Sequence, residues 1–371
     1  MGWFGRKSAA AVPAPALPTW LGETAGEVFP LGYEARLKEV FVRNPVGQRA
    51  VRLVAGTAGA LPIDAVEGKA RAVELVKRPG LIEGIVAHLL LHGNAYVQVL
   101  PGRSGPGELF LLRPERVSVE ADTQGWPAAY VYRTGLKTTK LPVRDALGRT
   151  QIIHLKALHP ADDHHGLGCL DAAAAGAAIH NQASRWNKGL LDNAARPSGA
   201  LVYEPEDGAT LSTEQFARLK AELEQQFAGS GNAGRPMLLE GGLKWQALSL
   251  TPADMDFIRL KEAAARDVAL AFGVPPALLG LPGDTAYANM KEAGRALYRQ
   301  TVLPLMERVL QGLAAGLTDW VGKLKLAVDV DQISELNEDR RALWEQVNAA
   351  TFLTDEEKRE MLGFGPRKRS S

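Results

Sequence analysis

Residues 159–166, HPADDHHG, carry the histidine and aspartate side chains that could hold a metal ion. Imidazole nitrogens and carboxylate oxygens are common ligands of zinc and other transition metals. The spacing matches no standard site, because His164 and His165 are adjacent and point in different directions on most backbones. One interpretation is a metal-dependent hydrolase that uses the cluster at 159–165. The other is a solvated turn in which aspartate side chains accept hydrogen bonds from backbone amides, and the spacing favours this turn.

Two further positions could do chemistry. His88 and His92 stand four residues apart on one predicted helix and could chelate a metal, but no third ligand lies near them in the sequence. Cys169 is the only cysteine, and nothing beside it would activate a thiolate, so a packed small residue is the favoured interpretation. Nucleotide-binding, zinc-protease and serine-hydrolase motifs are absent from the sequence. The sequence therefore predicts a protein that is not an enzyme and has no cofactor.

The elements that would position these residues are predicted to be mixed helix and strand. Residues 81–93 have apolar side chains at helical spacing and end at Gly93-Asn94, two residue types that tolerate a left-handed helix end. Residues 44–63 predict an earlier helix that runs into an extended segment. Short runs of alternating apolar residues make residues 95–156 mainly β.

A long helix dominated by alanine and glycine is predicted over residues 171–195. Such a helix offers little apolar area, but its small side chains let other helix backbones come close. The neighbour could be another copy of the chain or a helix of the same chain, and the composition leaves both open. A second long helix is predicted over residues 252–273, and one of its faces carries Ile258, Ala265, Val268 and Phe272.

A break interrupts the helical pattern at residues 271–294, AFGVPPALLGLPGDTAYANMKEAG. Gly273 ends one helix, and the prolines that follow force an extended backbone. A loop rich in glycine and proline comes next, and Asp284 or Thr285 can cap the helix predicted over residues 288–317.

Two other local signals fix helix ends. Residues 211–229 predict an amphipathic helix in which Ser212 and Gln215 have the spacing of a capping box. Pro304 lies inside the helix predicted over residues 288–317, so a boundary or kink is expected near Leu303.

The composition is that of a soluble globular protein of 371 residues, with 46% hydrophobic and 23% charged residues. Lysine and arginine number 43 and aspartate and glutamate 42, so the formal net charge is +1. Tight binding of duplex DNA usually depends on an excess of cations, so this balance speaks against a static DNA-binding protein. No apolar run reaches the length of a membrane span. Prolines in residues 8–19 exclude the core of a signal peptide and predict a flexible arm on a soluble, unprocessed chain.

Several motifs occur in an order that resembles the tailed-phage portal proteins, head-to-tail connectors of the siphophage type also found in prophages and gene-transfer particles. The motifs are LLLHGNAYVQV, QIIHLK before a glycine-containing loop and a long helix, DNAARPSGALV, LSTEQ, the GSGNAG loop before MLLEGGLKWQALSL, IRLKEAAARDVALAFGVPPALLG with TAYANMKEAGRALYRQTVLP, and FLTDEEKREMLGFGP. Each motif alone is weak, but their ordered succession from Asn44 to Pro366 is specific. Residues 169–170 replace a common Ser-Pro before the long helix, and residues 194–195 replace a pair that usually contains glycine.

The resemblance implies an α+β portal fold with a mixed α/β wing, a two-helix stem, a small α/β clip and a helical crown. Carried onto this sequence, it implies a flexible N-terminal arm at 1–30, the first part of the wing at 31–166, a stem helix at 167–195, the clip at 196–250, a second stem helix at 251–273, a tunnel loop at 274–290, a wing or channel helix at 291–323, the crown at 324–366 and a basic tail at 367–371.

The resemblance also implies roles for individual residues. The tunnel-loop residues that would face the DNA channel are Leu281, Gly283, Asp284, Thr285, Tyr287, Asn289 and Lys291. The residues that would pack in the stem are Ala174, Gly176, Ala177, Ala264 and Val268. The clip residues that would dock the terminase and the adaptor are Phe216, Leu219, Glu222 and Trp245.

The implied function is a homo-oligomeric ring, typically a dodecamer, at one capsid vertex, with a channel for the packaging and ejection of double-stranded DNA. The implied partners are other copies of the chain, the major capsid protein, the terminase large subunit and the head–tail adaptor, with no membrane. The protein would be made in the bacterial host cytoplasm and end in the virion. Two other classes stay open: the metal-dependent hydrolase, and a scaffold or adaptor that binds nucleic acid directly.

Overall fold

The structure is a computed structural model of the chain, and it describes residues 32–68, 70–103, 105–192, 199–203, 212–218, 221, 243–247, 257–282 and 287–362. The α-helices of these ranges are α1 (Tyr33–Leu37), α2 (Pro45–Gly59), α3 (Ala70–Val76), α4 (Leu81–His92), α5 (Leu170–Asp192), α6 (213–218), α7 (Phe257–Ala271), α8 (Tyr287–Ala296), α9 (Leu303–Val321), α10 (Asn337–Ala349) and α11 (Asp355–Met361).

The strands of the same ranges are β1 (Ile63–Glu67), β2 (Asn94–Gly102), β3 (Gly105–Leu112), β4 (Val117–Ala121), β5 (Pro127–Thr134), β6 (Lys137–Pro142), β7 (Ile152–Lys156), β8 (Gly199–Tyr203), β9 (Leu243–Ala247) and β10 (Lys325–Val328). Two segments are π-helical, Lys38–Val42 and Leu297–Val302. Short 3-10 helices lie at Pro114–Arg116, Pro276–Leu279, Val330–Gln332 and Ser334–Leu336.

The predicted wing, residues 31–166, contains an antiparallel sheet with the strand order β3-β2-β7. Helix α9 packs against this sheet, and its two glycines allow the approach: a Cβ on Gly312 would clash with Leu155, and one on Gly316 would clash with Ile153. Helix α4 precedes β2 and ends at Gly93, whose φ of 82° is the left-handed value that glycine adopts without strain. The prediction that residues 95–156 are mainly β is confirmed.

Three smaller antiparallel sheets lie around this centre. Strands β4, β5 and β6 form a three-stranded sheet, β1 pairs with β10, and β8 pairs with β9. A second, small core belongs to the β4-β5-β6 side and contains Tyr96 and Tyr130, whose rings meet edge to face with centroids 5.5 Å apart. The fold is therefore α+β, as the sequence predicted.

One hydrophobic core joins the first helices, the sheet β3-β2-β7, the two long helices α5 and α7, and α9. Its largest fully buried side chains include Phe272, Ile85, Met306, Leu310, Leu313 and Leu317. None of the helices in the described part of the chain combines the length and the apolar character that are needed to span a bilayer.

The helix predicted over residues 288–317 is divided as Pro304 indicated. An α-helix runs to Ala296, the π-helical segment follows, and α9 begins at Leu303 with Pro304 in its first turn. Proline fits that position because the amide of the first turn has no partner within the helix. The capping box at Ser212 is also confirmed, since the Ser212 hydroxyl accepts from the Gln215 amide and the Gln215 side chain accepts from the Ser212 amide.

Candidate functional site: the two long helices and the loop after them

Helices α5 and α7 pack against each other through small residues. A Cβ added at Gly176 of α5 would stand 3.0 Å from the Ala264 carbonyl oxygen and 3.3 Å from the Val268 side chain of α7. Ala174 and Ala177 on α5 are also buried. All five residues that the resemblance assigned to stem packing are therefore buried in one chain, and Gly176, Ala264 and Val268 meet in the contact between its two helices. On this face of α5, the neighbouring helix therefore belongs to the same chain, which is one of the two possibilities that the composition left open.

The opposite faces of the same helices are exposed although they carry apolar residues. On α5 the exposed positions Ala172, Ala175, Ile179, Gln182 and Trp186 follow one another at spacings of three and four residues. This is the spacing of a seam between packed helices. Ile179 is 41% exposed and Trp186 is 44% exposed.

Helix α7 shows the same feature. Leu270 is 79% exposed and Leu260 is 44% exposed. Ile258, which shares a helical face with Ala265 and Val268, is 72% exposed in the first turn of α7. Contiguous exposed apolar residues of this kind mark surfaces that bind another molecule.

Asn94 fixes the point at which the wing leads into α5. Its side-chain oxygen accepts hydrogen bonds from the Gly166 amide at 2.7 Å and from His154 Nε2 at 3.0 Å. Its side-chain nitrogen donates to the Gly166 carbonyl at 3.1 Å. Gly93 and Gly166 come so close that a Cβ on either would clash with the backbone of the other. The GNAY motif therefore holds the loop that ends at the first turn of α5.

Asn44 makes a second buried link between the wing and α5. Its side-chain oxygen caps α2 by accepting from the amides of Val46 and Gly47, both at 3.0 Å. Its side-chain nitrogen donates to Asn181 Oδ1 at 3.0 Å. Asn181 in turn donates to the Glu39 side chain at 2.8 Å. A continuous polar network thus ties α2 and the π-helical segment before it to the middle of α5.

The histidines at the first link are kept neutral by their surroundings. Burial lowers the pKa of His154 to about 3, helped by the nearby Lys156 ammonium. Burial also lowers the pKa of His92 to about 4. The His154 ring stacks on Tyr96 with a centroid distance of 4.2 Å, and Tyr33 packs edge to face on His92 at 4.8 Å. Neutral imidazoles suit these packed positions because a charged ring there would lose its hydration.

The HPADDHHG segment forms the turn that its spacing favoured. Asp162 Oδ1 accepts from the amides of His164 and His165 at 2.7 and 2.9 Å, and Asp162 Oδ2 lies 3.1 Å from His165 Nδ1. Within the described ranges, no group of three or more histidine, cysteine, aspartate or glutamate residues is arranged to hold a metal ion. Cys169 is half-buried, and burial raises the pKa of its thiol, which fits a packed residue rather than a nucleophile.

The backbone after α7 turns sharply and is held on both sides. Gly273 has a φ of 64°, and the Val274 amide donates back to the Ala269 carbonyl at 2.9 Å, which forms a Schellman end. The Thr301 hydroxyl donates to the Gly273 carbonyl at 2.6 Å, and Arg266 Nη2 donates to the Pro282 carbonyl at 2.6 Å. The backbone from Gly273 to Pro282, which contains the first part of the predicted tunnel loop, is therefore anchored to α7 and to the π-helical segment before α9.

The residues assigned to the tunnel loop divide into three groups. Leu281 is half-buried and packs with Leu278 and Leu279 against the core, so it anchors the loop. Gly283, Asp284 and Thr285 lie outside the described residues. The remaining residues begin α8: Tyr287 opens the helix, and Asn289 and Lys291 are exposed.

The residues assigned to the clip are only partly described. Phe216 lies on α6 and is 61% exposed. Trp245 lies on β9 opposite Leu201 of β8. Leu219 and Glu222 lie outside the described residues. Exposure of Phe216 suits a docking residue, and the docking role stays a prediction.

The sequence analysis gave no role to Asn94 or Asn44, which fix the two links to α5. A signal existed for each of them. Asn44 stands directly before Pro45, the residue pair of a capped helix start. Asn94 follows the helix-ending Gly93, which placed it at a chain reversal but did not identify its partner 72 residues later.

Comparison with known proteins identifies a family whose sequence model matches most of this chain. The sequence model described as "Phage portal protein" matches residues 45–363. A chain in the solved neck of a native gene transfer agent particle, computed with C12 symmetry, is 43% identical, with a TM-score of 0.71 over 91% of this chain and 95% of that chain. An uncharacterized protein of Rickettsia bellii is 39% identical over 346 residues, covering 88% of both chains. The probable portal protein of Streptomyces phage phiC31 is 24% identical over 63% of this chain and 51% of its own length.

Proposed function

This chain belongs to the phage portal protein family, and we propose that its copies form a ring at one capsid vertex around a channel for double-stranded DNA. The ring serves both packaging and ejection of the DNA. The similar chain in the gene transfer agent neck was solved with C12 symmetry, so we propose twelve copies in the particle. The protein is a component of the virion or of a gene transfer particle.

The observation that carries the ring is the pair of exposed apolar faces on α5 and α7. Their small-residue faces are already used within one chain, where Gly176 meets Ala264. The large apolar side chains Ile179 and Leu270 remain exposed on the other faces. In a ring, each copy contacts its two neighbours through two different surfaces. The ring closes when the successive rotations between neighbouring copies add up to a full turn. We assign the exposed faces of α5 and α7 to these contacts between neighbours.

The channel side belongs to the loop after α7 and the start of α8. Thr301 holds the Gly273 carbonyl and Arg266 holds the Pro282 carbonyl. A loop whose first part is firmly held suits a structure that touches moving DNA without binding it strongly. The near-neutral net charge of +1 agrees, because each stable phosphate contact adds salt-dependent affinity.

The other partners follow from the family. The segment at 196–250, with Phe216 exposed on α6, docks the terminase large subunit during packaging and the head–tail adaptor afterwards. The major capsid protein surrounds the ring at the vertex. The chain is made in the bacterial host cytoplasm, and its role is structural rather than enzymatic. Asp162 of the HPADDHHG turn is occupied by backbone amides, which does not favour the hydrolase alternative.

Imaging of the purified full chain tests this function. We expect negative-stain micrographs to show rings with a central hole, and particle masses to correspond to about a dozen chains. Particles that stay monomeric or dimeric at high concentration, and that also fail to form rings with capsid protein present, would contradict the proposal. Strong duplex binding by a small species that is not a ring would favour the scaffold or adaptor alternative instead.

A further inference from the structure

Strand β10 has a partner on one side only. It pairs with β1 in antiparallel register, with Val328 opposite Ile63 and Ala327 opposite Asp64. Within the described residues, no strand pairs with its other edge, and β1 and β10 form a sheet of two strands. An open edge of this kind presents unpaired backbone donors and acceptors to any extended segment nearby.

The register identifies the groups that face the open edge. The Asp329 amide donates to the Pro62 carbonyl at 2.9 Å, in line with the β1–β10 ladder. Hydrogen-bonded pairs alternate along an antiparallel ladder, so the amide and carbonyl of Ala327 also face β1. The amides and carbonyls of Leu326 and Val328 therefore point to the open edge.

A groove lies along this edge, and helix α9 forms its other wall. We call it the edge groove, and its volume is about 540 Å³. From the strand side it is lined by every residue from Leu324 to Val328, which shows that the strand presents its edge rather than one face. From α9 it is lined by Leu303, Glu307, Leu310, Gln311, Ala314, Ala315 and Thr318. Four turns of helix make the groove about 22 Å long.

The N-terminal arm contains a segment with the chemistry of a strand that can use one edge only. In Ala11–Leu17, AVPAPAL, prolines occupy positions 13 and 15. Neighbouring residues of a strand direct their amides to opposite edges, so Val12, Ala14 and Ala16 can donate to β10 while the prolines face away. Proline also restricts the residue before it to extended conformations, which lowers the entropy lost on docking.

The length of the segment also fits the groove. Seven extended residues span about 23 Å, the length of the edge groove. The small side chains of the segment suit a wall that contains Ala314 and Ala315. Residues 18–31 connect the segment to Gly32, and fourteen extended residues reach at most about 50 Å.

We propose that residues 11–17 of the arm add to β10 of their own chain as a third strand and fill the edge groove. The Leu326 and Val328 backbone groups pair with Val12, Ala14 or Ala16, and apolar arm side chains lie on α9. The prolines leave positions 13 and 15 of the new edge without donors, which disfavours the addition of a further strand. The arm thereby prevents β10 edges of different copies from pairing, and contacts between copies stay on the long helices.

Hydrogen exchange in the full chain, resolved to single amides, tests the proposal. We expect the Leu326 and Val328 amides to exchange about tenfold faster when residues 2–19 are deleted. The Ala327 amide, which faces β1, serves as the internal control and should keep its rate. Equal acceleration of all three amides would mean that β10 had separated from β1, and it would overturn the proposal. Unchanged rates at all three amides would overturn it as well.

A matched pair of proline variants tests which residues of the segment direct their amides toward β10. Ala14→Pro removes a donor that faces β10, so it should accelerate Leu326 and Val328 as the deletion does. Ala11→Pro introduces the same residue at a position whose amide faces away, and it should leave both rates unchanged. Equal effects of the two variants would overturn the strand pairing. If mixing with a mass-labelled full chain restores protection to the deleted chain, the occupant is the arm of another copy, and the own-chain assignment is wrong.

Discussion

The wing end of α5 and the outer faces of α5 and α7 differ in how much of their surface a single chain covers. At the wing end, the side chains of Asn94 and Asn44 make buried hydrogen bonds to distant parts of the same chain. On the outer faces, Ile179 and Leu270 remain exposed although they are apolar. A single chain therefore fixes where its long helices begin, and we propose that neighbouring copies of the chain cover their exposed faces.

The largest effect is expected for assembly. Ile179→Asp places a charge in the exposed face of α5, where a neighbouring copy would have to bury it, and burying an unpaired charge costs several kcal/mol. We expect rings to be lost while the circular dichroism spectrum stays that of the folded chain. Leu136→Asp, at a fully exposed position between β5 and β6, is the control and should leave rings intact. Rings formed by the Ile179 variant would show that this face lies outside the interface.

The next largest effect concerns the wing end. Asn94→Ala leaves the Gly166 amide and the His154 ring without their acceptor, so we expect the free energy of unfolding to fall by about 2–4 kcal/mol. Denaturant titration measures this loss. Asn289→Ala on the exposed side of α8 should change stability by less than about 0.5 kcal/mol. Similar losses in both variants would mean that Asn94 is not a hub.

The contact between the helices gives a smaller effect. Gly176→Leu forces a side chain against the Ala264 carbonyl and Val268, and overpacking of this kind costs about 1–3 kcal/mol. Gly189→Leu, further along α5, meets no atom within 4 Å and should stabilise the helix slightly. Thermal unfolding of the two variants side by side measures the difference. If both shift the midpoint equally, the close approach at Gly176 does not limit the pairing.

Acid should weaken the wing end gradually. His154 and His92 have pKa values lowered to about 3 and about 4 in the folded chain, against about 6.5 in the unfolded chain. Between these values the unfolded chain binds more protons, so stability is complete above pH 6.5 and falls as the pH decreases below it. The loss approaches about 1.4 kcal/mol per pH unit for each histidine. Unfolding midpoints at pH 7 and 5 measure this loss, and His154→Asn should reduce the slope.

The sequence was sufficient for features that depend on neighbouring residues. The end of α4 at Gly93, the boundary at Pro304 and the turn at Asp162 all follow from local residue preferences. Features that join distant parts of the chain were not predictable in this way. Asn44 finds Asn181 across 137 residues, and no local pattern identifies that partner.

The π-helical segments and the exposure of Ile258 show the same limit. The hydrophobic pattern at Leu297–Val302 fits ordinary helical spacing, and only the fold shows that this segment has a wider turn next to the Thr301 link to Gly273. Ile258 shares a helical face with Ala265, but it is 72% exposed, whereas its neighbour Phe257 contacts Trp186 of α5. Periodicity identifies a face, and the length of the buried contact along it depends on the partner helix.

Chemical labelling of single cysteines tests the contrast between the two regions most directly. In a Cys169→Ala background, Ile179→Cys and Leu136→Cys should react with a maleimide at similar rates in the monomeric chain. In purified rings we expect Ile179→Cys to be protected by at least about tenfold, because a neighbouring copy covers it, while Leu136→Cys keeps its rate. Equal labelling of both positions in rings would contradict the claim that neighbouring copies complete the exposed faces of the long helices.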